Sequence, residues 1–179
     1  MTFAERENRK RYAVLNPDVL AGIADDMLVQ AIIDHIQDVR LTGLERGCAE
    51  EYARVEALPA NLRPFITTQM LDAEVKNGGF VQWFWNSSGQ FAPLVPEDLR
   101  RIGADTHAAI VARAVAIHAD EKAAFDSAQN SWTPSKAFSQ LAKTSKLAAL
   151  DDEYYAIQVE LHTLIAVYAR RIAPTIHSP

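Results

Sequence analysis

Apolar positions recur along this chain with the period of a helix and nowhere alternate with the period of a strand. Leu28, Ile32, Ile36 and Val39 form a stripe over 25–39, with Ala31 and His35 beside it. Leu44, Cys48, Tyr52 and Val55 make a second stripe, weakened by Gly43 and Gly47. Pro59 interrupts, and Leu62, Ile66, Met70 and Ala73 then line a helix that Asn61 can cap and that tolerates Pro64 in its first turn. It stops at Gly78-Gly79. A short aromatic helix follows over 80–86, broken by Ser87-Ser88-Gly89 and a loop bracketed by Pro93 and Pro96. Another short helix starts at Pro96-Glu97-Asp98 and ends near Gly103. A long helix over 105–128 puts Val111, Ala114, Val115, His118 and Phe125 on one face. A polar stretch then holds a short helix at 135–141. The last helix is expected over 152–172, with Tyr154, Leu161, Ile165, Tyr168 and Ile172. The pattern predicts an all-α fold: a single compact multi-helix domain over 1–179 with a long central helix and a long C-terminal helix.

Composition adds bounds. A length of 179 residues suits one domain and buries about 70% of the extended chain's surface, enough for a core without staples. Cys48 is the one cysteine, which excludes an intrachain disulfide and a Cys-based zinc site. The N-terminus lacks the apolar segment of a signal peptide and the longest apolar run, 164–169, is far below a membrane span, so a soluble cytoplasmic protein is expected. The net charge is −5, and it is uneven. Residues 18–56 hold nine acids against three bases, behind a basic N-terminal arm or helix at 1–15. Such a surface argues against direct nucleic-acid binding but suits a basic protein partner. Asp25-Asp26, Glu97-Asp98 and Asp151-Asp152-Glu153 open helices, where the dipole accounts for them. Glu50 and Arg54 pair at i, i+4. Asp34, Asp38, Glu45, Glu51 and Glu56 remain as candidate partner-binding carboxylates, set against the plainer reading of a solvated face.

The densest motif runs from Glu74 through Asn77, Gly78, Gly79, Phe80, Gln82, Trp83, Phe84 and Trp85 to Asn86. Gly78 and Gly79 end one helix as the next begins, leaving orphan N–H groups near Gly79 and Phe80. Glu74, one turn back, is expected to accept from them. Phe80, Trp83 and Phe84 share a face at i, i+3, i+4 and read as core, while Gln82 and Asn86 bind loop backbone. The alternative is a ligand pocket, in which Trp83 or Trp85 stacks a flat molecule that the amides read.

Leu58-Pro59, Leu62-Arg63, Glu74-Val75, Asn77-Gly78-Gly79-Phe80, Gln82-Trp83-Phe84 and Asn86 together resemble a bacterial domain-of-unknown-function family typified by DNA mimic protein 19. Ile102-Gly103-Ala104, Leu150-Asp151 and Tyr154-Tyr155 extend the resemblance, which covers a core at 58–168. The resemblance implies an all-helical fold and a dimer whose acidic surface imitates duplex phosphates and occupies a DNA-binding transcription factor. The Asn-Gly-Gly-Phe segment is the specific part of the resemblance, and its residues by themselves read as structural.

Catalytic and metal signals are poor. His118 and Glu121 stand at i, i+3, but a di-metal bundle needs further Glu and Glu-x-x-His sets. His118 and Cys48 lie on apolar stripes and read as core groups. No Gly-x-Ser-x-Gly elbow, Walker loop or dinucleotide fingerprint occurs. The expectation is therefore no catalytic site, no metal and no cofactor. Two functions remain open: a non-enzymatic acidic module that binds a basic or DNA-binding protein, and a small-molecule binder or enzyme with a site around Gln82, Trp83, Trp85 and Asn86. The last helix has apolar residues on more than one side, so it is either central in the core or shared in a homodimer.

Overall fold

The computed structural model describes residues 14–177, and the basic arm expected at 1–15 lies almost wholly outside the described residues. In chain order the α-helices are α1 (Pro17–Ala21), α2 (Asp25–His35), α3 (Ala49–Glu56), α4 (Pro64–Trp85), α5 (Val95–Arg101), α6 (Asp105–Gln129), α7 (Pro134–Thr144), α8 (Ala148–Tyr155) and α9 (Leu161–Ile172). Among the described residues there is no strand, and the fold is all-α. No helix among them is long and apolar enough to cross a membrane. Internal contacts divide the chain into two compact units. One comprises residues up to Ile66, 101–103 and the segment from Val159; the other comprises Thr67–Arg100 and Ala104–Gln158.

In the first unit, Asn16 caps α1 by accepting from the Val19 N–H at 2.9 Å, and Pro17 fills a first-turn position where an N–H would be orphaned. Asp25 and Asp26 stand in the first turn of α2, as its dipole favours. Leu28, Ile32 and Ile36 are buried and α2 packs on α9, which buries Leu161, Ile165, Tyr168 and Ile172. Phe65 meets the Tyr168 ring at 5.8 Å, and the Tyr168 hydroxyl donates to the Asn61 carbonyl at 3.1 Å. Arg170 ties α9 to the start of α2: it pairs with Asp25 and donates to the Leu20 and Ile23 carbonyls.

The second unit is built on aromatic burial. Phe80, Trp83, Phe91 and Phe125 are fully buried, as are Leu71, Val75, Leu99, Val111 and Leu150. α6 spans the unit and packs against α7 and α8. Asp98 is wholly buried and accepts from the Thr67 hydroxyl at 2.8 Å, so its place in the first turn of α5 is not a surface dipole effect alone.

Two expected elements change. The helix expected over 152–172 is two helices, α8 and α9, separated by 156–160 and belonging to different units. At the break Gln158, Val159 and Glu160 are exposed, while Ile157 keeps the apolar spacing from Tyr154 to Leu161, so the stripe in the sequence runs on across the gap. The stripe through Leu44 and Cys48 is helical only from Ala49. Cys48 is the N-cap, partly exposed rather than a buried thiol, and its sulfur accepts from the Glu51 N–H at 3.3 Å.

Candidate functional site

The site grows from the interruption in α4. Gly79 has φ 75°, in the left-handed region that a side chain disfavours, and a Cβ there would run into the Asp151 carboxylate. Restarting a helix at this point strands backbone donors. Phe80 N–H donates to Asp151 Oδ1 at 2.7 Å, and Gly79 makes a backbone hydrogen bond to the Tyr155 phenol oxygen. That phenol donates in turn to the Val75 carbonyl. Asp151 and Tyr155 are one turn apart on α8, so one face of α8 serves both broken ends of α4. Burial pushes the Asp151 carboxyl up, the Phe80 N–H pulls it back and Asp152 raises it further. Burial is also the main cause raising the Tyr155 phenol, with the Asp151 charge next.

Glu74 therefore does not hold the donors that the sequence assigns to it. Side chains on a helix lean towards its N-terminus, away from Gly79. Its carboxylate instead accepts from Gln82 Nε2 at 2.9 Å, Asn86 Nδ2 at 2.8 Å and the Ser88 hydroxyl at 3.2 Å. These are the amides expected to bind loop backbone. A carboxylate only accepts, so chemistry fixes both amides with nitrogen towards Glu74 and oxygen elsewhere. Gly78 belongs to the same fit, because a Cβ on it would collide with the Gln82 side-chain oxygen.

Beside this hub lies an open cleft of about 510 Å³. Asn77, Gln82, Trp85 and Asn86 form one wall, and Pro134, Ser135, Phe138 and Ser139 of α7 the other. Its volume falls within the range of small-ligand sites, about 300–1,000 Å³. Trp85 is half-buried and meets Phe138 edge-on at 5.2 Å, while Gln129 Nε2 donates to the Trp85 carbonyl at 3.2 Å. Asn77 is exposed, and its side chain makes no hydrogen bond among the described residues. Trp83 is not part of the cleft: it is buried between Phe80 at 6.1 Å and Phe84 at 4.6 Å, so of the two tryptophans Trp85 is the one that lines it.

The acidic candidates fare differently. Glu51 is buried, and its carboxylate accepts from the Gly47 N–H at 2.7 Å while its own N–H meets Cys48 Sγ. That is a variant of the capping box, with cysteine in the serine position and the carboxylate on the N–H one residue before the cap, so Glu51 is withdrawn from the partner-binding set. Glu45 and Glu56 are exposed, and Glu56 accepts from the Tyr52 hydroxyl at 3.3 Å. Asp34 is partly exposed and accepts from Gln30 at 2.8 Å. Asp38 lies past His35 on a π-helical turn, Ile36–Arg40, so the simple i, i+4 relation to Asp34 is lost. Nor is the charge special to this unit: its described residues hold ten acids and seven bases, against eleven and seven in the other.

His118 is partly exposed, its ring stacked parallel to Phe84 at 4.0 Å, and burial lowers its pKa. Glu121 accepts from the Ser145 hydroxyl at 2.6 Å and the Lys146 N–H at 3.0 Å, holding the turn before α8. Among the described residues no group of three or more His, Cys, Asp or Glu could hold a metal ion.

Sequence reasoning missed Asp151 and Tyr155 as partners of the glycine pair, although both lie in segments that carry the family resemblance. It also missed the α7 wall, for which amphipathic spacing is the one signal. No curated protein and no solved structure matches the chain. A match to the DMP19-like protein family covers residues 56–172. That span includes Glu74, the glycine pair, Asp151, Tyr155 and both cleft walls, but of the five carboxylates only Glu56. On this match the chain belongs to the DMP19-like protein family.

Proposed function

We propose that this protein is a non-enzymatic interaction module that occupies the basic surface of a DNA-binding protein, with carboxylates standing where duplex phosphates would. Membership of the DMP19-like family is the observation that carries the reading. The exposed Glu45 and Glu56, with the partly exposed Asp34 and Asp38, supply the charge in the first unit. Arg54, one of three bases between residues 18 and 56, is already paired with Glu50 at 2.7 Å. A homodimer fits the same reading, since Val167 stays exposed and Leu164 partly exposed on the outer face of α9.

The test is capture of a DNA-binding protein from native lysate by wild type and by Glu45→Lys/Glu56→Lys, at low and high salt, with duplex DNA as competitor. Capture should fall with salt, because the Debye length shrinks below about 8 Å above physiological ionic strength. It should weaken in the double reversal and yield to DNA; light scattering on the complex then counts the copies. Capture indifferent to both the reversal and DNA overturns mimicry. The cleft favours a second reading, a small-molecule-binding protein. Mass spectrometry of compounds released on denaturing the purified protein tests it.

A further inference from the structure

The cleft beside Glu74 has a chemistry that phosphate mimicry leaves unused. Gln82 and Asn86 each give an amide N–H to Glu74, and their oxygens, that of Gln82 lying over exposed Gly78, take no hydrogen bond among the described residues. Donation to a charged acceptor polarises an amide and strengthens its oxygen as an acceptor. The Ser139 hydroxyl gives its proton to the Ser135 carbonyl at 2.9 Å and so presents lone pairs. Trp85 offers an aromatic surface steadied by Phe138.

The N-terminus of α7 would favour an anion, but it is blunted. Pro134 at its start has no N–H, and the N–H groups of Lys136 and Ala137 both donate to the Thr133 carbonyl. No residue lining the cleft is charged, and Lys136 and Lys143 on α7 lie outside the lining. The unit that holds the cleft has an excess of acids. Acceptors, an aromatic face and a carboxylate behind them suit a planar cation that only donates. Guanidinium is that group: five N–H donors in a rigid plane that stacks on aromatic rings.

We infer that the cleft binds the guanidinium of an arginine side chain presented by a protein partner. Gln82, Asn86 and Ser139 accept its N–H groups and Trp85 stacks against its plane. The space exceeds a lone guanidinium and leaves room for the stem and neighbouring residues of a peptide. That the arginine belongs to a protein rests on the interaction reading; the preference for guanidinium does not.

The experiment is an NMR titration of the full chain with acetyl-Gly-Arg-Gly-amide, its lysine counterpart and its neutral citrulline counterpart. The arginine peptide should shift the Trp85 indole and the Gln82 and Asn86 side-chain amide signals. Lysine should bind at least about fivefold more weakly, since it lacks the stacked plane and the fork of donors. Citrulline should bind more weakly still. Ser139→Lys, at an exposed position of α7, should weaken the arginine peptide about tenfold by placing a like charge in the cleft. Equal binding of the arginine and citrulline peptides, or shifts confined to residues away from the cleft, overturns the proposal. Salt-sensitive, DNA-competed capture with no arginine response also overturns it and leaves the interaction reading standing. An arginine response in a protein whose capture ignores both Glu45→Lys/Glu56→Lys and competing DNA supports the cleft and removes mimicry.

Discussion

Glu74 and Glu45 are both carboxylates on a chain with an excess of acids, yet their surroundings ask different things of them. Glu74 sits partly buried beneath three side-chain donors that its own helix interruption brings within reach. In the same unit Asp151 and Asp98 likewise answer particular donors, a backbone N–H and a buried hydroxyl. Glu45 is exposed, and Glu56 and Asp34 have only neighbours within one turn. Around Gly78-Gly79, then, negative charge solves a folding problem that the broken helix creates. In the acidic segment of the first unit, much of it is left facing solvent, where it sets association rates more than stability. Net charge along the sequence does not distinguish these uses. The donors within reach do.

The sharpest way to break the contrast is Gly79→Ala. A left-handed backbone costs a residue with a Cβ about 1–3 kcal/mol. Displacing Asp151 would also leave the Phe80 N–H unpaired, adding about 1–3 kcal/mol. Gly103 has φ 83° with nothing near an added Cβ, so Gly103→Ala reports a positive-φ backbone cost with no side-chain collision. Urea denaturation should show Gly79→Ala losing clearly more than Gly103→Ala. Equal losses would mean that the Asp151 contact contributes nothing.

A smaller effect appears in the pH dependence. The Asp151 carboxyl is raised in the folded state, chiefly by burial. Between its ordinary value and that raised value the native state binds more protons than the unfolded chain. Stability from this group is therefore present at lower pH and lost as pH rises through the folded pKa. Exposed Glu153, lowered mainly by its hydrogen bond from Arg113, has the opposite sign, and its contribution is lost as pH falls. Asp151→Asn keeps an acceptor for Phe80 and removes the titration. Subtracting its stability–pH curve from that of wild type should leave a fall with rising pH just above the ordinary carboxylate range. A flat difference would show that Asp151 titrates as though unfolded.

How much of this could be read from the chain depends on range. The stripes of α2 (Val39 beyond it apart) and α6 and the break at Gly78-Gly79 were legible because they are local, and so was the burial of Phe80, Trp83 and Phe84 from their spacing. In α4 the stripe was read off register, since Leu71 and Val75 are buried while Ala73 is exposed. The partner of Phe80 N–H was not, since Asp151 lies 71 residues away and no periodicity links them. The split between α8 and α9 was hidden because Ile157 carries the apolar register across the exposed turn. Glu51 was misread for a subtler reason. Cys48-Ala49-Glu50-Glu51 has the spacing of a capping box, but cysteine stands where serine or threonine normally signals one.

That misreading yields the finest test, inside the acidic segment itself. Glu51 and Glu45 are six residues apart, and only the first has a backbone donor to hold. Glu51→Ala should cost about 0.5–2 kcal/mol, the range for losing a helix cap. It should leave partner association little changed, because a buried carboxylate steers nothing. Glu45→Lys should shift stability by less than about 0.5 kcal/mol, as exposed substitutions usually do. Its effect belongs in the association rate at low salt and should vanish when salt screens the charge. Thermal melts and stopped-flow association, run on both variants, give four numbers that must fall in this crossed pattern. If Glu45→Lys instead destabilises the fold as much as Glu51→Ala does, the exposed carboxylate is structural as well, and the division between the two kinds of acid fails.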